Sequence, residues 1–138
     1  MLSAMRCTHC TKCCQDTRME LSAADIARLV RRGYVDGSFY RVDHDGIPRL
    51  VNVDGYCFFF DLGKGRCREY ASRPLGCVIY PINLTEDGEA VIDDVCPEGE
   101  SISHEELVEK AARLRKLLRT IDAEAAVRRR SRGGHRLC

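Results

Sequence analysis

Apolar residues recur at helical spacing near the start of the chain. Between residues 20 and 33, three of them fall on one face of a helix: Ile26, Leu29 and Val30. Ser22 can cap the N-terminus of this helix, with Asp25 three residues later, and Gly33 can end it. We therefore predict a short amphipathic helix over 20–33 that packs against a core.

The longest regular pattern lies towards the C-terminus. Apolar residues follow one another there at intervals of three or four: Leu107, Ala111, Leu114, Leu118, Ile121 and Ala125. Ser103 and Glu106 resemble a capping box ahead of this run. The pattern predicts a long amphipathic helix over 101–127, packed on a domain formed by residues 1–100.

Arginines replace the apolar pattern in the last segment, 128–138. Five arginines without regular apolar spacing predict a flexible, solvated basic tail. Contact of this tail with RNA or with an acidic partner is the alternative, and such contact would depend on salt concentration. We expect nucleic-acid contact nowhere else in the chain, and a protein partner remains open.

Two regions between the helices have the short apolar runs and turn residues that are typical of β-hairpins. In the first, the runs 39–42 and 49–53 flank a sequence rich in turn residues. In the second, the runs 78–84 and 90–93 flank a polar segment. Pro81 suits an edge strand or the end of one. Together with the helices, these hairpins predict a small α+β fold.

Composition limits how stable an apolar core can be. The chain has 138 residues, no tryptophan and 31% charged residues, so it fits one small domain with a modest core. Bound metal would add crosslinks that such a core needs. The formal net charge of +1 gives no general attraction to nucleic acid or to membranes.

Neither a signal peptide nor a membrane span is expected. Residues 1–6 contain no apolar stretch of the length that a signal peptide needs. No segment approaches the ~20 apolar residues of a spanning helix. We therefore expect a cytoplasmic protein, in which thiols are normally reduced. Disulfide pairing is the alternative reading of its many cysteines.

Cysteine is the residue that points most directly to chemistry. Four of the nine cysteines fall within eight residues: Cys7, Cys10, Cys13 and Cys14. Thiolates are soft anionic ligands, and four of them suit tetrahedral zinc or the iron of iron–sulfur clusters. The spacing of the first three also resembles the ligand run of ferredoxins.

The adjacent pair Cys13 and Cys14 limits how the cluster can bind. Neighbouring side chains diverge by about 100° in a helix and about 180° in a strand, so one ion is not expected to bind both. A helical segment would place Cys14 with Cys7 and Cys10, whereas a turn would let Cys13 join them. Either arrangement leaves one cysteine for a second metal, a bridge or redox chemistry.

Four further cysteines are spread along the chain: Cys57, Cys67, Cys77 and Cys96. Their wide spacing requires the fold to bring them to any common site. Burial as structural thiols is the alternative for some of them, because cysteine is often buried. Gly63 and Gly65, just before Cys67, suit a turn between two strands better than a phosphate loop.

The ordered series of these motifs resembles the CxxCxxCC (YkgJ-type) family of zinc- or iron-chelating proteins. The segments that carry the resemblance are Cys7-x-x-Cys10-x-x-Cys13-Cys14, residues 21–26, Cys57-Phe58-Phe59-Phe60, Cys67-Arg68-Glu69-Tyr70 and residues 73–81. They cover about residues 7–97. Val78 follows Cys77 where the family often has arginine.

The resemblance implies a cysteine-rich domain stabilised by zinc or iron, or by a [4Fe–4S] cluster. The ligand positions that it implies are Cys7, Cys10, Cys13, Cys14, Cys57, Cys67, Cys77 and Cys96. The fold is then a small α+β domain around a cysteine-ligated metal centre. Arg73 would support the site by offsetting thiolate charge, and a surface arginine before a proline turn is the alternative.

The function expected from these features is metal binding through thiolates, and whether the chain is an enzyme stays open. An iron–sulfur redox protein, or an S-adenosylmethionine-linked methyl-transfer enzyme or accessory protein, is the alternative. The related cysteine arrangement of flagellin lysine methylases, which involves a cluster and that cofactor, suggests the second form. No Ser/His/Asp pattern, Walker loop or dinucleotide fingerprint occurs in the sequence.

Overall fold

The structure, a computed structural model, describes residues 14–93 and 101–136. Within these ranges, short strands pair into antiparallel hairpins and a long helix ends the chain. The elements in chain order are α1 (Ala23–Arg31), β1 (Tyr40–Val42), β2 (Pro48–Leu50), β3 (Asn52–Val53), β4 (Tyr56–Cys57), β5 (Phe60–Asp61), β6 (Arg66–Cys67), α2 (Leu75–Ile79), β7 (Ile82–Leu84), β8 (Ala90–Ile92) and α3 (His104–Arg136). The small α+β class with hairpins and a long C-terminal helix is confirmed.

Helix α1 has both of the end signals that the sequence indicated. The Ser22 hydroxyl accepts a hydrogen bond from the Asp25 amide at 3.1 Å, and the Asp25 carboxylate accepts one from the Ser22 amide at 3.2 Å. These reciprocal bonds form a capping box. Gly33 follows the helix with φ +109°, a conformation that favours glycine. Both predicted end signals are confirmed.

The first predicted hairpin is present, but its second strand is divided. Strands β1 and β2 pair with Tyr40 opposite Leu50 and Val42 opposite Pro48. The predicted run 49–53 does not continue as one strand, because β3 pairs instead with β4 in a separate hairpin. Gly55, with φ +84°, provides the tight turn of that second hairpin.

The second predicted hairpin is confirmed over its central part. Strands β7 and β8 pair with Ile82 opposite Ile92. The beginning of the predicted run is wrong, because Val78 and Ile79 belong to helix α2 rather than to a strand. The predicted turn at Gly63 and Gly65 is confirmed, since it joins β5 to β6.

Two apolar clusters form the core of the described residues. The first cluster contains Leu21, Leu29, Phe39, Leu50, Cys57, Phe59 and Phe60. The second cluster contains Ile79, Ile82, Ala111, Leu114, Leu117 and Ile121. Helix α1 and strands β2, β4 and β5 therefore build one cluster, while α2, β7 and α3 build the other.

Helix α3 is longer than the sequence pattern predicted. It begins at His104, one residue after Ser103 caps it by accepting a hydrogen bond from the Glu106 amide at 3.1 Å. It continues to Arg136, whereas the pattern predicted an end near 127. The structure thus differs from the predicted tail, because most of the segment 128–138 is helical.

The C-terminal half of α3 lies against the turn between β1 and β2. Arg128 donates a hydrogen bond to the Gly46 carbonyl at 3.0 Å, and Arg129 donates one to the Asp45 carbonyl at 2.7 Å. Helix α3 also contacts the start of α1, where the Glu124 carboxylate accepts a hydrogen bond from the Ala23 amide at 2.9 Å. Among the described residues, no helix is both long and apolar enough to cross a membrane.

Candidate metal centre

Four of the eight predicted ligands lie in the described part of the chain. Each belongs to a different local structure: Cys14 precedes an isolated bridge, Cys57 ends β4, Cys67 ends β6, and Cys77 lies in the middle of α2. The other four predicted ligands, Cys7, Cys10, Cys13 and Cys96, lie outside the described residues.

The backbone brings Cys14 towards Cys57. Gln15 forms an antiparallel bridge with Tyr56, and the next amide, Asp16 N, donates to the Gly55 carbonyl at 2.8 Å. In an antiparallel bridge the residue before one partner faces the residue after the other. Cys14 and Cys57 therefore occupy facing positions across this bridge.

Asn52 fixes the chain that follows Cys14. Its side-chain oxygen accepts a hydrogen bond from the Thr17 amide at 3.0 Å, and its side-chain nitrogen donates to the Thr17 carbonyl at 2.9 Å. Asn52 also lies opposite Cys57 in the β3–β4 pair. Asn52 thus connects the segment that follows Cys14 to strand β4, which carries Cys57.

Cys67 and Cys77 pack against the same apolar cluster as Cys14 and Cys57. Cys67 lies opposite Phe60 in the β5–β6 pair. Cys77 follows Gly76, where an added Cβ would lie 2.2 Å from the Met19 sulfur. Only a residue without a side chain allows the Met19 thioether this close to α2.

All four described cysteines contact the first apolar cluster. Cys57 is a member of it with 8% of its surface exposed, and Cys14, Cys67 and Cys77 pack against it while partly buried. Among the described residues, no three His, Cys, Asp or Glu side chains converge as a metal would require. The four described cysteines therefore surround one apolar cluster, but they do not form a complete metal site by themselves.

Aromatic rings beside Cys57 belong to the first cluster or pack against it, and we call them the aromatic wall. Tyr56 stacks on Phe60 with ring centroids 4.8 Å apart, and Phe58 and Phe59 meet edge to face at 5.2 Å. These rings come from the residues on either side of Cys57. Apolar surroundings of this kind restrict water and strengthen charge interactions at a bound metal.

Arg73 lies in the segment between Cys67 and Cys77. Its guanidinium carbon stands 3.9 Å from the centre of the Tyr70 ring, in a cation–π contact. Its Nε atom is buried and has no hydrogen-bond partner among the described residues. A buried donor of this kind normally requires an acceptor, which suits the predicted role of Arg73 beside thiolates. That role stays a prediction.

Sequence reasoning missed the polar contacts that support the segment 69–75. Asp25 and Arg28 on α1 contact its later part, and Arg32 contacts Glu69 at its beginning. Tyr34 adds a further contact to Glu69. Burial raises the pKa of the Tyr34 phenol above its ordinary value of 10.0, and the hydrogen bond and charge of Glu69 raise it further.

Comparison with known proteins identifies the family. No curated protein and no solved structure gives a significant match to the chain. The family model described as "CxxCxxCC: Putative zinc- or iron-chelating domain" matches residues 6–97. This range includes all eight predicted ligands and covers more than half of the 138 residues. The chain therefore belongs to the CxxCxxCC family.

Proposed function

We propose that this protein binds zinc or iron through cysteine thiolates. The proposed ligands are drawn from Cys7, Cys10, Cys13, Cys14, Cys57, Cys67, Cys77 and Cys96. One observation carries the proposal: four of these cysteines come from separate elements and pack on the same apolar cluster. Soft thiolates gathered from distant parts of a chain match the donor set of structural zinc and of iron–sulfur centres.

The remaining proposed ligands, Cys7, Cys10, Cys13 and Cys96, enter the proposal through the sequence series alone. The last described residue before Cys96 is Asp93, whose amide donates a hydrogen bond to the Pro81 carbonyl at 2.7 Å. Pro81 lies four residues after Cys77 in the chain.

The bound ion would supply a crosslink that the apolar core lacks. Each thiolate would connect one hairpin, helix or terminal segment to the others, so metal binding would contribute to folding. The protein's own part is to exclude water through the aromatic wall. Arg73 adds a cation that offsets thiolate charge.

An iron–sulfur cluster is the second candidate for the bound group. The spacing of Cys7, Cys10 and Cys13 favours it, because ferredoxins use the same local spacing for three ligands. The redox or methyl-transfer function considered above would require this cluster. A zinc centre would instead serve as a structural or carrier site.

Anaerobic purification from iron-replete cells, followed by metal analysis and an optical spectrum, tests the proposal. We expect at least one zinc or iron per chain. Colourless zinc-loaded protein would select a zinc site, and brown protein that bleaches on reduction would select the cluster. Less than one metal per chain, with thiols oxidised in pairs, would overturn the proposal.

Single cysteine variants give the test its control. Cys57→Ser and Cys77→Ser should lower the metal content of purified protein. Cys138→Ser removes the one cysteine outside the motif series and should leave the metal content unchanged. Equal metal content in all three variants would contradict the proposed ligand set.

A further inference from the structure

The segment 69–75 connects the strand that carries Cys67 to the helix that carries Cys77. It contains a 3₁₀ turn, Tyr70–Ser72, between those two elements. The Ser72 amide donates a hydrogen bond to the Glu69 carbonyl at 2.9 Å, and the Pro74 carbonyl accepts one from the Cys77 amide at 3.0 Å. Side chains of α1 also contact the backbone of this segment.

Helix α1 holds the beginning of this segment through an ion pair. Arg32 donates to Glu69 from two guanidinium nitrogens, with Nε to Oε2 at 3.2 Å and Nη2 to Oε2 at 3.0 Å. The Glu69 residue is only 6% exposed, whereas the Arg32 side chain is about half exposed. A guanidinium with two donors fixes both the distance and the orientation of its carboxylate.

The same helix holds the middle and the end of the segment. Arg28 donates to the Arg73 carbonyl at 3.0 Å and reaches the Ser72 carbonyl at 3.4 Å. Asp25 is completely buried, and its Oδ1 atom accepts hydrogen bonds from Arg28 at 2.9 Å and from the Leu75 amide at 3.2 Å. Leu75 is the first residue of α2, two positions before Cys77.

The three contacting residues lie along one face of α1 and its C-cap residue, Arg32. Asp25, Arg28 and Arg32 are separated by three and four positions, which is the spacing of a single helical stripe. A rigid helix therefore contacts the segment at its start, middle and end. These contacts therefore span the segment between the strand that carries Cys67 and the helix that carries Cys77.

We propose that α1 is a positioning element for the metal centre. Asp25, Arg28 and Arg32 hold the segment 69–75 so that Cys67 and Cys77 keep one separation with or without metal. This inference rests on the proposed function. Side chains that orient ligands in this way reduce the conformational entropy that the ligands lose when a metal binds. Removing such side chains typically weakens metal binding about 10–100-fold.

Anaerobic titration of the metal-free full-length protein with Co²⁺ tests the inference. Arg32→Gln removes the ion pair with Glu69 at the start of the segment. Arg28→Lys keeps the positive charge but loses the planar guanidinium and its several donors. Both should bind Co²⁺ at least about tenfold more weakly than the unaltered protein. The thiolate-to-cobalt absorption band should also change, while the far-ultraviolet circular dichroism stays the same.

Arg31→Gln is the matched control. Arg31 is exposed on the same helix and makes no hydrogen bond or ion pair that the described residues show. This variant should bind Co²⁺ like the unaltered protein. A general effect of removing positive charge near the thiols would instead weaken binding in Arg31→Gln and spare Arg28→Lys.

The outcomes separate this inference from the proposed function. If the unaltered protein fails to bind Co²⁺, the proposed zinc site is wrong, and the inference, which rests on it, is wrong with it. If it binds and both α1 variants bind equally well, α1 does not position the ligands. Loss of the folded spectrum in both variants would also overturn the inference, because the contacts would then maintain the fold rather than the separation of two thiols.

Discussion

Asp43 is a carboxylate that organises the turn between β1 and β2. Its Oδ1 atom accepts hydrogen bonds from the Asp45 amide at 2.9 Å and the Ile47 amide at 3.1 Å, and Oδ2 accepts one from Arg49 at 2.9 Å. The hydrogen bond from Arg49 holds the Asp43 pKa below its ordinary value of 3.8, and the two backbone donors lower it further.

This lowered pKa predicts how Asp43 contributes to stability at different pH. Because the folded pKa lies below the unfolded value, the contribution is fully present above pH 3.8 and is lost as the pH falls through the folded pKa. Asp43→Asn should lower the free energy of unfolding by about 1–2 kcal/mol at neutral pH. The difference from the unaltered protein should shrink as the pH falls below 3.8.

Urea denaturation at several pH values measures this difference. Asp87→Asn is the control, because Asp87 is an exposed residue of the β7–β8 turn. Its effect should stay small at every pH. A difference for Asp43→Asn that persists unchanged in acid would contradict the assigned cause, because the carboxylate would then contribute independently of its charge.

The sequence predicted local contacts between neighbouring residues but not contacts between residues far apart in the chain. Ser22 was predicted to cap α1 because it directly precedes the apolar pattern of that helix. The pairing of Arg32 with Glu69 was not, because the two residues are 37 positions apart. Charges at helical spacing usually indicate a solvated face, so only the folded structure shows that Asp25, Arg28 and Arg32 contact the segment 69–75.

Helix α3 carries a buried ion pair on the face that packs on the body. Glu106 and Lys110 are 5% and 3% exposed, and Lys110 Nζ lies 3.2 Å from Glu106 Oε2. Neither Glu106 oxygen has a hydrogen bond of good geometry with the described residues, so the Coulomb attraction of Lys110 is its main compensation. Removing one partner leaves a buried charge uncompensated.

Lys110→Met should therefore destabilise the protein by about 3–5 kcal/mol, whereas a Glu106→Leu/Lys110→Met double variant should recover most of that loss. The control is the pair Glu109 and Arg113, which has the same spacing on the same helix but lies about half exposed at 3.6 Å. Arg113→Met should cost under about 1 kcal/mol. Thermal unfolding measures all three variants, and equal losses for Lys110→Met and Arg113→Met would refute the argument.

The turn between β1 and β2 fits closely against α3. At Gly46, φ is +84° and an added Cβ would lie 2.8 Å from the Ala125 carbonyl oxygen. Gly88 occupies a similar position in the β7–β8 turn, with φ +83° and nothing within 4 Å of an added Cβ. The two glycines share the same backbone requirement but differ in their contact with a helix.

Substituting these two glycines distinguishes the cost of backbone strain from the cost of lost packing against α3. Gly88→Ala should cost about 1–2 kcal/mol, the strain of the left-handed conformation. Gly46→Ala should cost about 1–3 kcal/mol more, because its methyl group forces the turn away from α3. Chemical denaturation compares the two variants. Equal costs would show that the turn can move away from Ala125 without loss.

The sequence predicted helices more completely than strands for a physical reason. A helix of nine residues or more gives several turns of apolar spacing, and α1 and α3 were both located. Strands of two residues, such as β3 and β4, carry no alternation to detect. Helix α2 spans five residues and was read as a strand because Val78 and Ile79 are β-branched. The end of α3 was missed because arginines there replace the apolar face.

At the scale of the whole molecule, the described residues form two halves, each built on one apolar cluster, and the thiols and α3 belong to different halves. The four described motif cysteines contact the first apolar cluster, and the second cluster is built on α3 and contains none of them. Helix α2 connects the halves, because Cys77 packs on the first cluster while Ile79 belongs to the second. Because the described ligands lie on separate elements, the sequence could indicate which cysteines bind metal but not how the fold brings them together.

This division predicts that metal removal loosens one half more than the other. A ligand present at a thousandfold excess over its dissociation constant stabilises the folded protein by about 4 kcal/mol. Only elements that the metal crosslinks should lose that protection locally. Amide hydrogen exchange, measured by mass spectrometry on metal-loaded and chelator-treated protein, should show faster exchange at β4 and β6. The central turns of α3, from Leu114 to Ile121, should change less.

The Cys57→Ser variant provides the control for the exchange experiment. Its strands should exchange quickly before chelation and change little afterwards, because one crosslink is already absent. A chelator effect of equal size in the variant would point to unfolding by the reagent itself. Uniform loss of protection across both clusters in the unaltered protein would show that the two halves unfold as one unit, and the metal would then stabilise the whole domain rather than the half that holds the thiols.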